Sequence, residues 1–296
     1  MKNSTCCIIV TFNRKDLLIK CLESVGKQTF KPNTILIIDN ASTDNTRELL
    51  IEKGFIKDNN KSIYNYINIV YILKSENDGG AGGFSFGLKE AFKLGFEWYW
   101  IMDDDGIPHN DCLKVLHSYS NQGVIDYLAP NLVDFSGKSH FENLWKETSN
   151  NIISYKGGPF NGILISRFLV QNVGVPIKYF FIWGDEHEYL NRIEEKGFIT
   201  TTVNEAIHYH KRTGCSYKKV PRVYYFSRNL ILQTRLFKGL FRSKLTKKIS
   251  CVLIISKIII FGFFTFNFRQ VTETLKGVIH GFKVDIHKLQ RKALKI

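Results

Sequence analysis

Residues 97–105 read Glu97-Trp98-Tyr99-Trp100-Ile101-Met102-Asp103-Asp104-Asp105, an apolar, aromatic run that stops on three adjacent carboxylates. Such a run suits a buried parallel strand, and open α/β sheets bind ligands at the carboxyl ends of their strands. Three acids at one strand end repel one another unless a cation offsets them. Hard divalent ions bind oxygen ligands and are commonly shared between carboxylates and a substrate phosphate. The plainer alternative is a solvated acidic turn.

Five further segments carry reactive residue types. Val10-Thr11-Phe12-Asn13-Arg14 and Asp39-Asn40-Ala41-Ser42-Thr43-Asp44 each follow an apolar run, so polar side chains fall at strand ends. An acid there can accept hydrogen bonds from a base or ribose, although Asn, Asp and Ser are also ordinary turn and cap residues. Asn77-Asp78-Gly79-Gly80-Ala81-Gly82-Gly83-Phe84 places four glycines before an expected helix. Glycine permits close backbone approach, and a helix N-terminus offers free N–H groups to phosphate; a hinge is the alternative. Phe180-Phe181-Ile182-Trp183-Gly184-Asp185-Glu186-His187-Glu188-Tyr189 ends an aromatic run on four ionisable groups, one of which could serve as general base. Simple helix capping would use the same residues. In Ala206-Ile207-His208-Tyr209-His210 a strand would place both histidines on one face, able to ligate metal or to play a structural part.

The elements that must position these groups are legible from periodicity. Cys6–Val10, Thr34–Ile38, Asn68–Leu73 and Trp98–Met102 read as strands. Lys15–Gln28, Thr43–Lys53 and Phe84–Gly95 read as helices between them. Strand and helix in alternation predict a mostly parallel α/β sheet flanked by helices. Lys156–Gly162 reads as a loop feeding the apolar run Ile163–Ile165, and Glu186–Lys196 as a helix.

The chain has 296 residues and is 44% apolar, enough for a substantial core and too apolar for disorder. No secretory signal precedes the first expected strand, so the six cysteines are expected to be reduced and structural. The net charge of +14 is uneven. Residues 1–205 hold 21 Lys+Arg against 25 Asp+Glu, whereas residues 206–272 hold 14 Lys+Arg and no acid. So one-sided a block suits a polyanion, either nucleic acid or an anionic membrane surface. Within it, residues 249–268 carry one charge, Lys257. That length can span a bilayer, but an in-plane amphipathic helix fits equally well, and a buried C-terminal helix is the plain alternative.

In this order and spacing the five segments resemble family 2 of the glycosyltransferases, inverting enzymes of the GT-A fold. The glycine segment, Met102-Asp103-Asp104-Asp105 and Trp183-Gly184-Asp185-Glu186-His187-Glu188 resemble its galactofuranosyltransferase and rhamnosyltransferase-like branch. Val223-Tyr224-Tyr225-Phe226-Ser227-Arg228-Asn229 resembles a Tyr-Tyr-x-x-Arg-Asn segment of that branch. The resemblance implies a Rossmann-like catalytic domain over 1–212, with 1–105 taking the nucleotide sugar and 106–212 the acceptor. A basic helical region, 213–296, would follow. It implies that Asp39 holds the nucleotide base, that Thr11 and Arg14 line the same pocket, and that Gly82, Gly83 and Asp104 lie near the donor. Asp103, Asp105 and His210 would hold Mn²⁺ or Mg²⁺, with Asp105 the firmer ligand and His210 preferred to His208. The aligned base is Glu186, where the family commonly has Asp, and Asp185 is the alternative.

The implied reaction moves a sugar to a hydroxyl of a growing cell-surface glycan, lipid-linked or oligosaccharide. The donor would be UDP-galactofuranose, or alternatively dTDP-rhamnose. The basic region would hold the enzyme peripherally on the cytoplasmic face of the cell membrane. A nucleic-acid binder would leave the acids and glycines unexplained. A nucleotidyltransferase normally has Lys or Arg in a Gly-rich loop near the first strand, where this chain has Thr11-Phe12-Asn13.

Overall fold

The computed structural model describes residues 4–120, 125–140, 152–153, 160–211, 222–237 and 241–296. A ten-stranded mixed sheet forms its centre. Its parallel half comprises β1 (Thr5–Thr11), β2 (Thr34–Asp39), β4 (Ile67–Leu73) and β5 (Trp98–Asp103), in the order β4-β2-β1-β5, with β3 (Lys61–Tyr64) antiparallel at the edge. Beyond β5 the sheet continues through β9 (Ile163–Ser166), β7 (Tyr127–Val133), β10 (Thr200–Tyr209) and β6 (Ile107–Pro108). There β9 runs antiparallel to both neighbours, and β8 (Ile152–Ile153) also pairs with β10.

The expected strands therefore form, each extended by a residue or two. Alternation explains why they need helices on both faces. Cys7, Ile9, Ile35, Ile37, Trp100 and Met102 point to one side, where α1 (Lys15–Gly26) and α4 (Cys112–Ser120) cover them. Ile8, Val10, Leu36, Ile38, Tyr99 and Ile101 point to the other, under α3 (Gly79–Lys93), α5 (Arg167–Val173) and α6 (Asp185–Glu195). Every residue of β1 and β2 is buried, as a central parallel strand requires. α2 (Thr46–Glu52) is shorter than the expected Thr43–Lys53 helix. The five described cysteines are free and buried.

One expectation is corrected. The four glycines do not precede a helix as a loop; they form the first turns of α3, which begins at Gly79. Glycine is a poor helix former, but packing overrides that weak preference here. A Cβ on Gly83 would lie 2.4 Å from Val10 Cγ1, and one on Gly79 would lie 2.0 Å from the carbonyl oxygen of Phe181. The glycines thus let α3 sit close on β1 and let residues 181–184 cross its start.

The C-terminal helices are α7 (Arg222–Leu236), α8 (Phe241–Phe264), α9 (Phe268–Lys283) and α10 (Ile286–Leu294). α10 returns to the segment after α5, where Val175 N–H donates to the Ala293 carbonyl at 3.0 Å. No described helix is long and apolar enough to cross a membrane.

Candidate active site

Register brings the acids to one edge. Val10 pairs with Asp103 and Thr11 with Asp39, so the ends of β1, β2 and β5 are level. Just past them Thr11 Oγ1 donates to Asp104 Oδ2 at 2.7 Å, and Arg14 Nη1 donates to Asp104 Oδ1 at 3.1 Å and Asp105 Oδ2 at 2.9 Å. Asp104 is thereby an anchored, buried acid that ties the β1 loop to the acidic turn. Burial pushes its carboxyl up to about 6, against the opposing pull of Arg14 and Thr11. Asp103 lies well above the ordinary carboxylate range, first because of burial and then because Asp105, Asp104 and Glu186 repel its charge. Burial would raise Asp105 too, yet His210 and Arg14 together hold it below its usual value.

β10 delivers the histidines. His208, within the strand, is fully buried against Gly106 and Gly162, and neither ring nitrogen has a hydrogen-bond partner among the described residues. His210 lies one residue past the strand, with Nε2 3.3 Å from Asp105 Oδ1. Sequence reasoning preferred His210 over His208, and His210 is the one beside the acids.

The residues present fit a hard divalent ion in part. Two donors on one such ion stand about 3 Å apart at metal–ligand bonds of about 2.1 Å, close to the separation between Asp105 Oδ1 and His210 Nε2. Asp105 Oδ1 and His210 Nδ1 are buried with no hydrogen-bond partner among the described residues. Carboxylate and imidazole suit Mn²⁺ and, less well, Mg²⁺. The expected trio is not assembled, however. Among the described residues no three His, Cys, Asp or Glu side chains are grouped to hold a metal, so Asp103 does not complete the set as it stands.

The second acid cluster arrives on α6. Asp185 is buried at the helix start, while Glu186 beside it is half-buried. The Asp185 carboxyl is pushed well above its ordinary range by burial and then by the adjoining Glu186, to which it is hydrogen-bonded. Asp103 also repels it, so clusters some eighty residues apart in sequence share one electrostatic environment. Glu188 belongs elsewhere: Arg192 grips it at 2.6 and 2.9 Å and donates to the carbonyls of Val173 and Val175. His187 is exposed.

Two clamps set the loop before Asp185. The Phe181 carbonyl accepts from Ala81 N–H at the start of α3, and Gly79 N–H is taken by Asn77 Oδ1. Part of the expected phosphate cradle is therefore used within the chain. From the other side Asn229 Nδ2 donates to the carbonyls of Phe180, Ile182 and Trp183, each at 2.8 Å. Arg228 donates to those of Tyr179 and Phe180. The Arg-Asn pair was visible in the sequence, but its function as a backbone clamp was not.

The remaining expected donor residues are tightly held. Asp39 is fully buried, accepting from Ser42 N–H at 2.7 Å and Tyr71 Oη at 2.8 Å. It shapes the Ser42 turn and does not open to solvent. Gly82 and Gly83 are buried in α3; a Cβ on either would strike Asp78, or Val10 and Asn40. Lys74, which sequence reasoning did not single out, donates to Asn40 Oδ1 and Asp78 Oδ2 at 2.9 and 3.0 Å.

A parallel half, a mixed continuation and acids at the end of β5 define a glycosyltransferase of the GT-A fold. The model of the family described as "Glycosyl transferase family 2" matches residues 6–180, more than half of the chain, and the chain belongs to that family. It is 27% identical over 223 residues to galactofuranosyltransferase GlfT1 of Mycolicibacterium smegmatis, covering 69% of this chain and 70% of that one. The Mycobacterium tuberculosis GlfT1 is 25% identical over 237 residues, 74% of each chain. Among solved structures, Staphylococcus aureus TarS 1–349 aligns with a TM-score of 0.62 at 17% identity, over 97% of this chain and 83% of that one. The mannosyltransferase PcManGT from Pyrobaculum calidifontis, in complex with GDP-Man and Mn²⁺, aligns at 0.61 and 14%, over 98% and 79%.

Proposed function

We propose that this glycosyltransferase moves galactofuranose from UDP-galactofuranose, with inversion, to a hydroxyl of a growing cell-surface glycan such as O-antigen or capsule, at the cytoplasmic membrane face. The observation that carries the reaction type is the meeting of the β5 acids with the α6 acids. The donor assignment is supported by relatives named galactofuranosyltransferase along about 70% of their length.

In this reading Asp105 and His210, with Asp103 beside them, would hold Mn²⁺ or Mg²⁺. The ion supplies Lewis-acid stabilisation of the diphosphate leaving group. Arg14 holds the acidic turn and sits where negative charge gathers. Asp185, whose carboxyl burial pushes up, is hydrogen-bonded to Glu186 and supports it, and Glu186 takes the proton of the acceptor hydroxyl. That oxygen attacks the anomeric carbon on the face opposite the nucleotide. Thr11 and Arg14 border the nucleotide; Asp39 acts on the base through the turn it shapes, unless Tyr71 yields its place.

The test is a panel of nucleotide sugars with purified protein and Mn²⁺, following release of free nucleotide. Release from UDP-galactofuranose above all others is the expected result. Preference for dTDP-rhamnose would reassign the donor, and no release from any sugar nucleotide would overturn the reading.

A further inference from the structure

α8 is apolar on nearly every side, yet it uses only a narrow stripe for packing. Cys251, Ile258 and Gly262 are buried, and a Cβ on Gly262 would meet Val271 Cγ2 of α9 at 2.7 Å. Outside that stripe, ten large apolar side chains between 249 and 268 are exposed. Phe264 and Phe266, at the elbow joining α8 to α9, are 81% and 80% exposed. Phe263 and Phe268 flank them with rings 6.2 Å apart, edge to face. An apolar face this continuous is far more than a folded monomer leaves in water without a partner.

The partner must also tolerate positive charge. Lys248, Lys257 and Arg269 are exposed on or beside this face, in a block that holds fourteen Lys+Arg and no acid. A second copy would set that block against itself, at a like-charge cost. An anionic bilayer satisfies both demands, since acyl chains take the apolar residues while headgroups take the cations. Lys257, the one cation inside the apolar run, can reach headgroups along its own methylene stem.

We propose that the α8–α9 hairpin is an in-plane anchor whose phenylalanine elbow wedges into an anionic bilayer. This deepens the membrane-side part of the proposed function and rests on it for the acceptor's location. The anchor is not loosely tethered. α9 crosses α7 at glycines: a Cβ on Gly277 would fall 2.4 Å from the Tyr224 carbonyl oxygen, and one on Gly281 2.8 Å from that of Arg228. Arg235 ties down the end of α9 through the carbonyls of Gly281, Phe282 and Val284. The same helix carries the Arg228–Asn229 clamp on the loop before Asp185. A surface seated on α8–α9 is therefore held in fixed relation to the base-bearing helix, which suits an acceptor presented from the same membrane.

The experiment is flotation of the full chain with vesicles of phosphatidylcholine mixed with phosphatidylglycerol, and of phosphatidylcholine alone. Wild type should float with the mixed vesicles and less with the neutral ones. Phe264→Ser combined with Phe266→Ser should lower partitioning at least about tenfold, the scale of losing two buried aromatic side chains. Its nucleotide binding, measured without vesicles, should stay intact and so certify the fold. In Phe264→Trp, indole emission should shift to the blue on the mixed vesicles. Failure of wild type to float, an undiminished double variant, or an unshifted indole would each overturn the anchor. So would sedimentation as a dimer that the double variant abolishes. Absence of UDP-galactofuranose binding with flotation intact would overturn the donor assignment alone.

Discussion

The sheet and the C-terminal hairpin treat apolar side chains in opposite ways. In β1, β2 and β5 aliphatic residues are sealed between two layers of helices. In α8 a comparably apolar run leaves most of its surface bare. The reason is partnership. Each face of a central parallel strand meets a helix, whereas α8 meets α9 and α7 along one stripe and leaves the rest uncovered. The same residue type therefore stabilises the fold in one region and remains available for binding in the other. The acids divide likewise: at the β5 end they stand close under burial, while the hairpin's one acid, Glu273, lies beside Lys276.

The largest expected effect breaks the acidic edge. Asp105→Ala removes the carboxylate facing both Arg14 and His210, and should abolish turnover together with metal-dependent nucleotide binding. Full activity in a chelator would show that no ion is needed there. Next, Glu186→Gln should lower the rate by roughly 10²–10⁴-fold with donor binding preserved. Asp185→Asn should cost less, because an amide can still donate to Glu186; loss of turnover on that change alone would move the base to Asp185.

Stability sharpens the contrast directly. Ile101→Ala, in a strand covered on both faces, should cost about 2–5 kcal/mol. Val252→Ala on the exposed side of α8 should stay within about 0.5 kcal/mol. Denaturant titration of both variants checks this, and equal losses would mean that α8 is packed against something in solution.

The smallest effect is a pH dependence that belongs to the sheet region alone. Burial pushes the His117 imidazole down from 6.5 to about 4, and its Nε2 lies 2.8 Å from Thr5 Oγ1. The folded chain binds this proton less readily than the unfolded chain, so stability falls as pH drops from about 6.5 towards 4. Between pH 7 and 5.5 the loss from this residue should be about 1 kcal/mol. His117→Gln should remove that share of the pH-dependent loss, and Lys257→Gln in the hairpin should leave the slope unchanged. Thermal melts across this range decide it.

Much of this was legible before any coordinates. Strand boundaries were readable because apolar runs between turn residues leave little choice. The β5 acids and His210 were readable because their spacing is distinctive. Segments whose conformation depends on a distant partner were not. The glycines at 79–83 suggested a loop, since nothing local reveals that Phe181 crosses the helix start there. Asp39 suggested an open ligand for a base, since nothing local reveals that Tyr71 and the Ser42 amide occupy it. Glu188 read as part of an acidic site until Arg192 was seen to hold it.

By itself, then, the sequence determined the family, the parallel sheet, the acids at the end of β5 and the excess of cations near the C-terminus. These follow from side-chain period, composition and spacing, which act over a few residues. Only the tertiary structure decided that Arg14 braces Asp104 and Asp105, that Asp185 is sealed while Glu186 stays partly open, and that α8 turns its apolar side outward. Each of these depends on which surfaces the packed chain brings together across tens of residues, and burial and charge coupling take their values only once that packing exists.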